Sequence, residues 1–173
     1  MPDYIDKTPI DVKSGNSLII EPSHGAVHDG VHFTASWSGT TATSLNTLLV
    51  TGTAASGYIH FVASASANKQ YVFKLYDSPT ATGGTTITSY NNNRNSSNTS
   101  PMTITKNPTL TTTGTVLLEQ HRIGSSNPGG RIGGGASHKN EWLLKPSTKY
   151  LVQVTAVSAG TIVTMNFPYY YRT

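Results

Sequence analysis

Cysteine is absent from the 173 residues, which removes disulfides and thiolate metal ligands and excludes a small secreted scaffold held by cross-links. The fold must rest on its core. Charge is also scarce: Asp, Glu, Lys and Arg make up 12% of the chain, about half the roughly 25% of average soluble domains. Acids are fewer than bases, 8 against 12, so the formal net charge of +4 and the pI near 9.3 reflect missing carboxylates. No basic run is present, and a nucleic-acid interface needs a basic stripe or patch. Direct nucleic-acid binding is not expected. Long hydrophobic runs are missing too: no segment approaches the ~18 apolar residues of a membrane-spanning helix. The first seven residues, MPDYIDK, carry acids where a secretory signal has a basic start and an apolar stretch. A soluble product of the cytoplasm, without a membrane partner, is the expectation.

What replaces charge and apolar residues is Thr, Ser, Gly and Asn. Hydrophobic residues are 36% of the chain. Thr is β-branched and suits strands, while Gly, Asn and Ser supply turn chemistry, so the composition favours short strands joined by many turns. The length suits one domain, since about 100 to 200 residues is the usual size. Residues 1–16 contain two prolines, mixed charges and no sustained period, which predicts an extended N-terminal arm. Residues 17–173 form the single expected domain.

From Leu18 onward the hydrophobic period is 2. Val31, Phe33, Ala35 and Trp37 alternate with His32, Thr34 and Ser36, the pattern of a half-buried strand. Further strands are expected at 45–51, 58–63, 71–76, 85–90, 102–105, 115–121, 150–157 and 161–171. Ser56-Gly57, Asn68-Lys69, Ser78-Pro79, Gly83-Gly84, Asn107-Pro108 and Ser158-Ala159-Gly160 punctuate them. Such spacing predicts an all-β antiparallel sandwich with jelly-roll topology. The last two strands read as a hairpin across Ala159-Gly160, with Pro168 placing the far end of the second at a sheet edge.

Three chemistries are weighed and set aside. His24, His28 and His32 are spaced by four, the register of metal ligands on one helical face. Gly25, Asp29 and Gly30 are expected to break that helix, and His32 belongs to the strand pattern, so no metal site is expected. Residues 129–135 (GGRIGGG) match neither a P-loop nor a dinucleotide turn. Their glycines read as a loop lying close to another backbone. Of the eight acids, Asp3, Asp6 and Asp11 fall in the arm, and Glu21, Asp29, Asp77, Glu119 and Glu141 form no recognisable catalytic pair. No enzyme activity and no cofactor are expected. Asn95 and Asn98 each head a glycosylation acceptor triplet, read as chance matches without a secretory signal. Trp37 reads as core. Tyr169-Tyr170-Tyr171 is different, because three consecutive tyrosines on a strand cannot all face one core; at least one ring is expected to be exposed or at an interface.

The order of several segments resembles the capsid decoration (cement, or head-stabilising) proteins of tailed bacteriophages, including marine and cyanobacterial phages. The resemblance runs through 27–33 (VHDGVHF), 71–80 (YVFKLYDSPT), 88–96 (TSYNNNRNS), 114–118 (GTVLL), the Gly-rich loop and 140–151 (NEWLLKPSTKYL). The segments at 90–96 and 141–151 are its most specific parts. It implies a jelly-roll-like sandwich assembled as a symmetric oligomer on the outer capsid surface of the virion, bound to the major capsid protein. A homotrimer is favoured, a homodimer is the second choice, and no catalytic residue is implied. Where the resembled group carries an acidic ending, this chain carries Tyr169-Tyr170-Tyr171. The alternative is a receptor- or carbohydrate-binding module of a phage fibre or head.

The subunit or capsid interface is expected to draw on Tyr4, Asp6 and Lys7 in the arm, on Tyr90, Asn91, Asn93, Arg94 and Asn95 in the Asn-rich loop, and on Tyr169 and Tyr171 in the tail. Asn and Ser side chains bond to nearby backbone and tolerate left-handed conformations. An ordered loop dense in hydrogen bonds is therefore expected over residues 90–100, with Arg94 as a planar donor fork at its centre.

Overall fold

The computed structural model describes residues 22–53, 58–122 and 141–172. One short helix, α1 (Pro22–His28), precedes β1 (His32–Thr41) and β2 (Ser44–Thr51); then follow β3 (Tyr58–Phe61), β4 (Ser64–Ala67) and β5 (Tyr71–Asp77). Five shorter strands come next: β6 (Thr80–Thr82), β7 (Thr85–Ile87), β8 (Tyr90–Asn91), β9 (Met102–Lys106) and β10 (Thr109–Thr112). The chain closes with β11 (Thr115–Arg122), β12 (Trp142–Leu144), β13 (Lys149–Ala156) and β14 (Thr161–Arg172).

The antiparallel ladders are nested: β1 pairs with β14, β2 with β13, β3 with β12 and β5 with β11. This nesting folds one long ribbon over itself and produces two sheets, with strand orders β12-β3-β14-β1 and β11-β5-β13-β2. It is jelly-roll topology. The segment between β5 and β11 extends both sheets: β8 is added beside β1, and β9 then β7 beside β2, while β6 and β10 pair with each other.

Alternation explains how the two sheets meet. On β14, Val163, Met165, Phe167 and Tyr169 are all buried, while Ile162 just before them and Asn166 between them are exposed. They join Phe33, Ala35 and Phe61 against Leu49, Phe73, Ile104, Val152 and Val154 of the other sheet in one core. Each buried Val, Leu, Ile, Phe or Met side chain among them contributes roughly 1.5–3 kcal/mol by leaving water. Trp37 packs against that core as expected, and its indole N–H donates to Thr47 Oγ1 at 2.9 Å.

Two expectations are corrected. Pro168 does not lie at a sheet edge, because β14 is central, with β1 on one side and β3 and β4 on the other. β3 pairs with residues 169–172 and β4 with 163–166, so Pro168 falls at the junction between them. There the Pro168 carbonyl accepts from the Val62 N–H at 3.0 Å, and the N–H that proline lacks faces an interruption of the neighbouring ladder. The second correction is α1, which forms despite Gly25. Gly30 ends the helix instead of abolishing it: its φ is +68°, Gly30 N donates to Val27 O at 3.1 Å and Val31 N to Ala26 O at 2.9 Å. Those are the two bonds of a Schellman motif with glycine at C′.

The arm expected over residues 1–16, and with it Tyr4, Asp6 and Lys7, lies outside the described residues, as does the Gly-rich stretch 129–135.

Candidate functional site

The Asn-rich segment lies beside the end of α1, where the helix turns into β1. The Gly30 carbonyl accepts from Asn91 Nδ2 at 2.8 Å, Asn98 Nδ2 at 3.1 Å and Ser96 Oγ at 3.4 Å. Asn93 Nδ2 donates to His28 O at 3.1 Å, and Asn92 N to His32 O at 2.9 Å. Within the segment, Asn91 Oδ1 accepts from Asn93 N at 2.9 Å, Asn93 Oδ1 from Asn95 N at 3.0 Å, and Ser96 Oγ from Asn98 N at 3.2 Å. Side chains thus replace the missing ladder, and the loop is ordered without a core of its own.

Glycine at position 30 is required twice. Its positive φ is unfavourable for a side chain, and a Cβ there would collide with the Cβ and Oγ of Ser96. The loop's outer surface carries the remaining groups. Tyr90 is 60% exposed, and the exposed Arg94 places its guanidinium carbon 6.0 Å from the Tyr90 ring centroid, a cation–π contact worth about 0.5–1 kcal/mol at an exposed site.

Next to the loop, the outer face of the β1-containing sheet bears a row of rings set by strand register. Tyr170 pairs with His32 on one side and with His60 on the other. Its ring stacks on His60 at 4.5 Å between centroids, with a 5° interplanar angle, and on His32 at 6.0 Å and 12°. Glu141 Oε1 accepts from His60 Nδ1 at 2.9 Å. Asn92 Nδ2 can only donate, and it lies 2.8 Å from His32 Nδ1, so this nitrogen accepts and the ring is neutral. Burial holds His32 below its ordinary pKa, in agreement with a bond to the uncharged form. At the margins of this face Tyr58 and Leu143 are 61% and 56% exposed.

The tyrosine tail behaves differently from expectation. Tyr169 is 1% exposed and belongs to the core, so its ring is not an interface group. Ser100 gives its proton to Met102 O at 2.6 Å and accepts the Tyr169 phenol at 2.5 Å. Burial is the main cause of the raised Tyr169 pKa. Tyr171 is half-buried and stacks on Phe33. Tyr170, on the opposite face, is covered by the two histidines. Within the tail, then, Tyr169 is taken into the core, Tyr170 stands between two imidazoles, and Tyr171 keeps part of its surface exposed.

The structure thus gathers Tyr90, Asn91, Asn93, Arg94 and Asn95 into one rigid feature, with Asn91 and Asn93 bonding inward and Tyr90, Arg94 and Asn95 on the exposed side. Sequence reasoning missed Gly30, Asn92, Ser96 and Asn98 as the fasteners, and His32, His60 and Tyr170 as a stack. The signals were a helix-ending glycine and the shared parity of residues 58, 60 and 170 across unassigned ladders. Glu119 is paired with Lys74 at 3.0 Å and with His121 at 3.3 Å. The hydrogen bond to Lys74 is the main cause of the lowered Glu119 pKa, and the same bond raises that of Lys74.

No family model, curated protein or solved structure matches the chain.

Proposed function

We propose that this protein decorates a phage capsid: a structural component of the virion that binds the outer surface of the shell as a symmetric oligomer and cements neighbouring major capsid subunits. The observation that carries this is the fixed display of Tyr90 and Arg94. Three donors on the Gly30 carbonyl and the chain of Asn-to-backbone bonds hold their loop in place, so little conformational entropy remains to be lost on docking. Tyr and Arg are, with Trp, among the residue types enriched at interface hot spots. The resemblance of segments 71–80, 88–96 and 140–151 to decoration proteins supports the same assignment.

The mechanism is binding alone, without a cofactor. A homotrimer, or in second place a homodimer, presents identical loops to several shell subunits, so modest contacts combine through high effective concentration. Release then requires several contacts to open together, which makes shell resistance to internal pressure partly kinetic. Tyr4, Asp6 and Lys7 in the N-terminal segment would add area and register to the contact.

The test is co-sedimentation of purified protein with undecorated shells of the source phage. Saturable retention of the native chain, weakened by Arg94→Ala and Tyr90→Ala, is the expected outcome; no retention at micromolar concentrations would refute it. A second reading rests on Tyr58 and Tyr90, whose rings are 61% and 60% exposed and are suited to stacking on sugars. Saturable binding on a glycan array, without retention on shells, would put a carbohydrate-binding module in its place.

A further inference from the structure

Helix α1 carries an arrangement that the capsid-binding reading does not use. His24 and His28 are four residues apart on one helical face, both exposed, with their Nε2 atoms 3.1 Å apart and their ring centroids 4.8 Å apart. At that spacing one ring nitrogen is within hydrogen-bond reach of the other, with the roles set by the two tautomers. It is also the spacing of two ligands on one metal ion. With bonds of about 2.0–2.1 Å to a common ion, a 3.1 Å separation corresponds to a ligand–metal–ligand angle of roughly 95–102°, between square and tetrahedral values. The rings meet edge to face at 72°, so one must rotate about χ2 to turn its lone pair toward the ion. That torsion is soft in histidine.

We infer that His24 and His28 form a chelating site for a borderline divalent transition-metal ion: Cu²⁺, Ni²⁺ or Zn²⁺. Neutral imidazole suits these ions, whereas Mg²⁺ and Ca²⁺ demand oxygen ligands. The site is pre-organised from below. Ala26, between the two histidines, is buried, Asp29 N donates to Gly25 O at 3.0 Å, and Asn93 Nδ2 holds the carbonyl of His28 itself at 3.1 Å. The helix face therefore stands in place before the ion arrives, which limits the ordering cost. No group of three or more His, Cys, Asp or Glu side chains with metal-binding geometry occurs among the described residues. The protein supplies two ligands, and the remaining coordination positions belong to water or to a donor from another molecule.

The experiment is calorimetric titration of the full, tag-free chain with Cu²⁺ and Ni²⁺, paired with electron paramagnetic resonance of the Cu²⁺ form. Expected are one ion per chain and nitrogen superhyperfine structure from two imidazoles. Affinity should fall by about tenfold or more in His24→Asn and in His28→Asn, since losing even an indirect support of a ligand costs about that much. Both positions are exposed, and an unchanged thermal transition in each variant separates lost binding from lost fold. His121→Asn and His138→Asn, remote in sequence from α1, should bind as the native chain does. Absence of binding at millimolar metal, or undiminished binding in His24→Asn and His28→Asn, would overturn the assignment.

Discussion

Asn98 and Gly30, 68 residues apart, are joined by a 3.1 Å hydrogen bond from the Asn98 side-chain amide to the glycine carbonyl. Through that carbonyl, the end of a seven-residue helix fastens the Asn-rich loop to the edge of the sandwich. The composition that looks like a flexible linker in the sequence is what makes the loop rigid, because short amide side chains satisfy backbone groups where no ladder can.

Replacing Gly30 should therefore release the loop. Gly30→Ala places a methyl group against Ser96 and forces a side chain into positive φ, and a cost of about 1–3 kcal/mol is expected. The loss should appear as a lower unfolding midpoint and faster amide exchange at Asn93, Asn95 and Asn98. Native-like exchange at those three amides would show that the loop does not depend on Gly30.

Acid should weaken the fold through His32. Burial lowers its pKa in the folded state, while the unfolded chain takes up the proton near pH 6.5. Between the folded and unfolded values the unfolded state binds more protons, so stability falls as pH drops below about 6.5. Denaturant midpoints at pH 7.5 and pH 5.5 measure the effect, and His32→Asn should flatten the slope. An equal slope in the variant would assign the acid sensitivity elsewhere.

Alkali acts in the opposite direction through Tyr169, whose pKa is raised chiefly by burial. Its stabilising contribution is fully present below the unfolded tyrosine value of about 10 and is lost as pH rises through the folded one. Tyr169→Phe should cost about 0.5–1.5 kcal/mol at pH 7, the worth of its bond to Ser100. It should also reduce the decline of stability above pH 10. A variant as alkali-sensitive as the native chain would contradict this.

Arg94→Ala should cost the folded domain no more than about 0.5–1 kcal/mol, the worth of its exposed contact with the Tyr90 ring. The same substitution should weaken retention on shells. A large fall in thermal stability would make Arg94 a structural residue.

Much of the sandwich was legible because its strands alternate. Phe33, Ala35 and Trp37, or Val163, Met165 and Phe167, announce a buried face by spacing alone. Strands β6, β10 and β12 have three or four residues each and are too short to establish a period. Pro168 misled because proline argues for an edge unless its missing N–H meets a gap, and the gap between β3 and β4 exists only in the assembled sheet. Gly30 is a helix terminator where its residue type alone suggests a helix breaker, a distinction carried by φ. The tyrosine tail pointed outward in sequence because the cover over Tyr170 comes from His32 and His60, residues 138 and 110 positions away that only strand pairing brings together.

The measurement that bears most directly on a decoration role is the copy number of this protein relative to the most abundant shell protein in purified virions of its source, by quantitative mass spectrometry. A ratio comparable with that of the shell protein is the result predicted here. A few copies per particle, or none, would contradict it.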